Sequence, residues 1–200
     1  CQELIDSEEP FRWICNSRVD AVNLEMLQLM KRAGCQMISF GVESGDENIL
    51  ANVNKKIKPV QAFQAIKACR EAKIPSFAYF VIRLPGETPL TVRKTMEFAR
   101  KLNPDYVNYH IATPFPGTLF YEWAKANQYL ISSNWEDYEE EGSAVIEYPE
   151  LSREALVSWQ KKAMRDFYFR LGRVFRELTK VRSISDFSAR IRAALKIFAL

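Results

Sequence analysis

The sequence predicts an α/β protein with a parallel sheet, and three observations carry that expectation. Short apolar runs alternate with segments of helical period, unit after unit, from residue 11 to residue 112. The junctions before three of the runs read alike: Lys31-Arg-Ala-Gly34, Arg70-Glu-Ala-Lys73 and Arg100-Lys-Leu-Asn103. The residues that follow each run are polar or conformationally unusual, as expected where loops collect at the carboxyl ends of parallel strands. Four such units fit part of a β/α barrel or a doubly wound sheet.

The first strand is expected in Phe11-Arg-Trp-Ile-Cys-Asn16, followed by a helix with Asn23 as its N-cap and Leu24, Leu27 and Met30 or Lys31 at helical spacing. Gly34 stands where a left-handed residue would stop that helix. Gln36–Val42 is the second strand, and it runs into Glu43-Ser44-Gly45. A short helix is expected near Asp46–Asn54. A longer one begins at Pro59 and carries Ala62, Phe63, Ile66 and Cys69. Pro75–Leu84 is an almost continuous apolar run, the pattern of a strand buried on both faces. Thr88 and Pro89 open the next helix, and Tyr106–Ala112 is the fourth strand.

Beyond Leu130 the pattern changes, which divides the chain into 1–130, a linker over 131–151 and a tail over 152–200. Residues 131–150 hold seven acidic and no basic side chains, with a short strand expected at Ala144–Tyr148. From Ser152 the positions Leu156, Trp159, Ala163, Phe167, Leu171, Val174, Leu178 and Val181 trace one long amphipathic helix, with Lys161, Arg165, Arg173, Arg176 and Lys180 mostly off the stripe. Ser185 opens a last helix with Ile191, Leu195 and Phe198. The aromatic residues of this basic tail sit on its apolar stripe, so no nucleic acid is expected. Contact with an anionic membrane surface stays open.

The apolar fraction of 48% and charged fraction of 26% are those of an ordinary globular protein, with a net charge of +3. There is no secretory signal and no apolar run of spanning length. Cys1, Cys15, Cys35 and Cys69 have no metal-ligand spacing, so no metal site is expected within the chain. A reduced, cytoplasmic protein is the default. The chain opens on Cys1-Gln-Glu-Leu, which reads like the end of a helix already under way and suggests a fragment.

Four loops hold the candidate site residues: Asn16 and Arg18; Glu43 and Ser44; Arg83 and Glu87; His110 and Thr113. Glu43 can accept hydrogen bonds from a ribose diol or an amino group, or it can pair with Lys55 or Arg18. Arg18 and Arg83 suit a carboxylate or phosphate, or an ordinary ion pair. His110, the one histidine, can transfer protons near neutrality or simply be hydrogen-bonded. No dinucleotide fingerprint, P-loop or nucleophile elbow is present.

Cys15-Asn-Ser-Arg-Val-Asp20, Lys31-Arg-Ala-Gly-Cys35, Phe40-Gly-Val-Glu-Ser-Gly45, Leu84-Pro-Gly-Glu-Thr88 and Ala112-Thr-Pro-Phe-Pro-Gly-Thr118 together resemble the second half of a radical S-adenosylmethionine (SAM) domain. They are most similar to the subgroup that often carries an upstream cobalamin-binding domain. Arg165-Asp-Phe-Tyr168 extends the likeness into the tail. The resemblance implies a partial (β/α)6 TIM-like barrel, of which this chain would hold strands three to six, with a helical extension behind it. It implies SAM and a [4Fe-4S] cluster as cofactors, cobalamin through an upstream domain, an electron donor, and a small-molecule or lipid-like substrate.

By position, Glu43 would meet the SAM ribose or amino group with Ser44 beside it, and Arg18 or Lys55 the SAM carboxylate. The backbone near Val81–Pro85, together with Thr113, would flank adenine. Two departures stand out. The C-x3-C-x2-C cluster ligands are absent, so the chain alone is expected to be inactive. Arg83 stands where the family usually has glycine. Half a barrel also leaves open sheet edges, which predicts aggregation or a partly molten state. Two other readings remain: a barrel lyase or isomerase using Glu43 and His110 as acid and base, and an interaction module that works through the basic tail.

Overall fold

A computed structural model of the chain describes residues 1–7, 10–132, 134–138, 145–179, 181 and 183–199. The elements in order are α1 (Gln2–Asp6), β1 (Trp13–Ser17), α2 (Leu24–Arg32), β2 (Cys35–Glu43), α3 (Glu47–Asn52), α4 (Pro59–Glu71), β3 (Ser76–Ile82), α5 (Pro89–Leu102), β4 (Tyr106–Ile111) and α6 (Leu119–Ala126). A 3₁₀ turn at Trp135–Asp137 then leads to α7 (Arg153–Tyr168), α8 (Leu171–Leu178) and α9 (Ile184–Ala199).

The three similar junctions share one backbone device. Gly34, Lys73 and Asn103 all have positive φ, at 93°, 57° and 49°, and each reverses the chain from a helix toward a strand. Gly34 is required twice over, because a Cβ there would lie 1.9 Å from the Phe11 carbonyl oxygen. The helix starts follow the expected chemistry: Asn23 accepts from the Met26 amide at 2.8 Å, and Thr88 and Thr91 cap each other ahead of Pro89.

The strands pair in the order β1-β2-β3-β4, all parallel. The order never reverses, so there is no switch point, and the winding is that of a barrel rather than a doubly wound sheet. Register sorts the side chains into two faces. Ile38, Phe40, Ala78, Phe80, Val107 and Tyr109 lie on the helix side and are almost wholly buried. The opposite face carries the rows Asn16–Ser39–Phe77–Tyr106, Gly41–Tyr79–Asn108 and Val81–His110.

That second face is open, with Ile14 64% and Tyr106 46% exposed. The expectation that β3 is buried on both faces is therefore corrected. Phe77, Tyr79 and Val81 are only half-buried, because no helix of the described residues covers their side.

The single long tail helix is also corrected. It breaks after Tyr168, where Arg170 takes an extended conformation and its guanidinium reaches the Arg100 carbonyl (2.8 Å) and Asn103 Oδ1 (3.2 Å). Tying Arg170 to the end of α5 turns the chain before α8. Leu156, Ala163 and Phe167 of α7 are buried in the same core as the sheet. Ala144, Lys180 and the Phe198 side chain lie outside the described residues. The strand expected at 144–148 is, where described, a pair of isolated bridges, Leu130 with Ile146 and Tyr148 with Leu151.

The sheet border along β4 is not open. Val107 and Tyr109 direct their backbone groups outward. The Tyr168 hydroxyl meets both groups of Val107, the Asn108 side chain accepts from the Tyr109 amide, and Gln160 donates to the Tyr109 carbonyl. Side chains from α7 therefore do at this border what a fifth strand would otherwise do.

Candidate functional site

The carboxyl end of β2 holds the central feature. Gly41 pairs with Tyr79 but Glu43 pairs with Phe80, so one extra residue bulges out of the strand. Glu43 has φ 67°, which turns its side chain back over the open face. There the Lys55 ammonium donates to Glu43 Oε1 at 2.7 Å, with both side chains about one-fifth exposed. A Cβ on Gly41 would stand 2.6 Å from Glu43 Oε1 and 3.1 Å from Lys55 Nζ. Glycine at 41 is what leaves room for the pair.

The next residues turn away. Ser44 is wholly buried; its hydroxyl lies 3.0 Å from Thr95 Oγ1 and accepts from the Asp46 amide at 3.1 Å. Gly45 brings the loop against α5, where a Cβ would sit 2.4 Å from the Phe98 Cβ. Asp46 then caps α3 and pairs with Lys94 at 2.9 Å. Burial alone would raise its carboxyl, but the Lys94 ammonium and the Ile49 and Asn48 amides bring it below the ordinary range. This ties the Glu43 loop to two helices and makes the bulge rigid.

Asn16 is exposed on the open face, one row below Gly41. Arg18 forms a bidentate pair with Asp20 at 2.9 and 2.8 Å, half exposed to water. That guanidinium holds the Asp20 carboxyl below its usual range, and Lys55 acts on Asp20 in the same direction. Val81 lies beside His110 in the register, with Tyr79 5.5 Å from the imidazole between ring centres. Asn108 Nδ2 is 3.3 Å from His110 Nε2. Because Asn108 Oδ1 accepts from the Tyr109 amide, its amide nitrogen faces the imidazole and makes Nε2 the acceptor. Glu43 and His110 sit on β2 and β4, with β3 and Tyr79 between them.

The loop after β3 is a tight turn. Arg83 has φ 76°, a left-handed position, and its amide donates to Glu87 Oε2. Its side chain is buried, not presented to the open face with Glu43. The Pro85 carbonyl accepts from Asn52 Nδ2 at 2.9 Å, and Tyr148 Oη donates to the Arg83 carbonyl at 3.1 Å. Burial raises the Glu87 carboxyl to about 7, against only partial compensation from the Arg83 and Leu84 amides. Thr113 is half-buried just past β4.

The structure thus brings together Glu43, Lys55, Asn16 and the Arg18–Asp20 pair at the ends of β1 and β2. Val81 and His110 share the face but lie toward β4, and Ser44 and Arg83 are turned inward. Asn52, Thr95, Lys94 and Tyr148 support these loops and carried no local signal, since their partners are 33 to 65 positions away.

Among the described residues, no cluster of histidine, cysteine and carboxylate side chains converges to hold a metal ion. Cys35 and Cys69 are buried among helix-side residues, and desolvation pushes their thiols up to about 11 and about 12. With Cys1 exposed, Cys15 half-buried and no three ligating side chains converging among the described residues, an iron–sulfur cluster does not fit this chain's own cysteines.

A parallel sheet wound in one direction, with polar loops at its carboxyl ends, is the framework of a β/α-barrel protein. Residues 1–99 match the radical SAM superfamily model. It is 35% identical over 158 residues to the uncharacterized methyltransferase PH0819 of Pyrococcus horikoshii, covering 79% of this chain and 34% of that protein. It is 34% identical over 125 residues to the anaerobic magnesium-protoporphyrin IX monomethyl ester cyclase of Rubrivivax gelatinosus, covering 61% and 22%. The chain therefore spans about a third or less of these relatives' length.

Two solved structures share the fold. One is the apo form of the cobalamin-dependent S-adenosylmethionine radical enzyme OxsB, with TM-score 0.60 at 17% identity over 100% of this chain and 34% of that one. The other is the radical S-adenosylmethionine methyltransferase TsrM from Kitasatospora setae with cobalamin and [4Fe-4S] cluster bound, with TM-score 0.57 at 18% identity over 83% and 34%.

Proposed function

We propose that this chain is the SAM-facing part of a radical SAM enzyme, with Glu43 and Lys55 receiving the methionyl end of the cofactor. One observation carries the reading: a carboxylate and an ammonium paired at 2.7 Å above a glycine, at the carboxyl end of a barrel strand. The methionyl group of SAM is an α-amino acid zwitterion. Its ammonium complements Glu43 and its carboxylate complements Lys55, so a ligand can exchange one ion pair for two charge-assisted contacts. The cradle over Gly41 fits that group. Asn16 and Val81 line the same face, and the turn at Pro85 and Thr113 would border the adenine. Arg18, now held by Asp20, is a second cation at the same end of the sheet.

SAM supplies radical chemistry when bound at a reduced [4Fe-4S] cluster. This chain's own residues orient the cofactor, hold its charges and keep water from it. The cluster ligands would come from another segment, so the isolated chain binds SAM weakly and does not cleave it. The named relatives, a methyltransferase and a cyclase, support carbon-centred chemistry on a small molecule, with an electron donor required and cobalamin held by a separate domain.

Anaerobic reconstitution with iron and sulfide tests this directly. The isolated chain should form no cluster, while a longer protein that includes a C-x3-C-x2-C segment should form one and release 5′-deoxyadenosine from SAM. Glu43→Gln in that longer protein should retain the cluster and lose most SAM affinity. Unchanged affinity would overturn the role given to Glu43.

A further inference from the structure

α8 is amphipathic in the reverse of the usual sense. Its polar edge faces the protein. Arg173 is 5% exposed, donates to the carbonyls of Pro104 (3.2 Å) and Asp105, and stacks 4.6 Å over the Phe167 ring. Arg170, at the helix start, is tied to the end of α5. Pinning that edge inward turns the apolar edge to solvent. Leu171, Val174, Phe175 and Leu178, spaced to share one side of the helix, are 89%, 38%, 71% and 52% exposed. α9 continues the pattern with exposed Phe187, Ile191 and Leu195 at four-residue steps. Arg190 on α9 joins Glu177 on α8 in an ion pair, so the two helices are linked.

Charge identifies the occupant. Residues 169–200 carry eight basic side chains and two acidic ones; with Arg170 and Arg173 turned inward and Arg190 paired with Glu177, five basic and one acidic remain. A second copy of this surface would meet like charge, whereas an anionic lipid headgroup layer would meet opposite charge. No helix among the described residues is long and apolar enough to cross a membrane. We propose that α8 and α9 dock this protein on an anionic bilayer surface, lying in its plane with Leu171, Phe175 and Leu178 among the acyl chains and the exposed Arg192 at headgroup level. Large exposed apolar side chains within a basic segment are the composition of an interfacial helix. This inference does not depend on the SAM site.

The test is flotation of the full 200-residue chain with vesicles of phosphatidylcholine, with and without phosphatidylglycerol at about a third of the lipid. Binding should require phosphatidylglycerol and fall as salt rises. Leu171→Ser with Phe175→Ser should weaken it about tenfold or more, and Arg192→Glu about fivefold. Helix content by circular dichroism should stay constant in both variants. Equal binding to the two vesicle types at low salt would overturn the proposal, as would undiminished binding by the double variant. So would a dimer by light scattering that the double variant abolishes while vesicles bind nothing, since the face would then belong to a second copy.

Discussion

The Tyr168 hydroxyl completes both backbone hydrogen bonds of Val107, donating to its carbonyl and accepting from its amide, each at 2.9 Å. Val107 is 1% exposed, so neither group has water to turn to. Tyr168→Phe keeps the ring and removes both bonds at once. We expect a loss of about 1–3 kcal/mol, read from the urea midpoint, and a greater tendency to aggregate through the uncovered border. A midpoint equal to that of the parent would mean the edge is satisfied in some other way.

Gly41→Ala should separate binding from stability. Its new Cβ would crowd the Glu43 carboxylate and Lys55 ammonium, 2.6 and 3.1 Å away, while the backbone φ there needs no glycine. Long side chains can move aside, so the fold should lose about 1 kcal/mol or less. Affinity for SAM, measured by calorimetry on the longer cluster-bearing protein, should fall about tenfold. A tenfold loss is about 1.4 kcal/mol, the scale of one charge-assisted bond.

Glu87 makes stability depend on pH. Its folded carboxyl titrates at about 7, above the ordinary value of 4.5, so the folded state holds its proton more tightly than the unfolded one. Below pH 4.5 the group contributes no pH dependence. As pH climbs from 4.5 to 7, its contribution becomes destabilising by a few kcal/mol in order of magnitude, and it levels off above 7. Glu87→Gln can still accept from the Arg83 amide. It should flatten the slope over that interval and raise the denaturation midpoint at pH 8. A parallel pH profile in the variant would show that another group is responsible.

Gly45→Ala probes the seat of the loop. A Cβ there would meet Phe98 Cβ at 2.4 Å and Thr95 Cα at 3.0 Å, and neither atom can yield without moving α5. Thermal denaturation should report a cost of about 1–3 kcal/mol, typical of an overfilled core.

The parallel alternation was legible in the sequence because each unit repeats locally: an apolar strand, a capped helix and a left-handed stop at Gly34, Lys73 or Asn103; whether it winds one way or two was settled by the strand order. Glu43 stood out for the same reason, as one carboxylate between two glycines. Its ion pair was open among Lys55 and Arg18, and geometry chose Lys55 because Asp20 occupies Arg18. Ser44 was read as a neighbour of Glu43 in the site. The bulge sends the two side chains in opposite directions, and a bulge is a matter of pairing that no single strand reveals. The tail's periodicity described an unbroken helix, but the break at Arg170 depends on contacts with Arg100 and Asn103, about seventy positions earlier. Arg83 stands where the resemblance implied glycine, and its φ of 76° lies in the left-handed region that glycine favours.

The sheet is finished along β4 by side chains, and among the described residues no further strand lies beside β1. As a building unit it is therefore one-sided. Strands can be added ahead of β1, extending the curve toward closure, but β4 offers no docking site to a following strand. Any larger barrel made from this unit must grow in one direction, and the Glu43–Lys55 pair, on the strand next to the growing border, would come to lie near its middle.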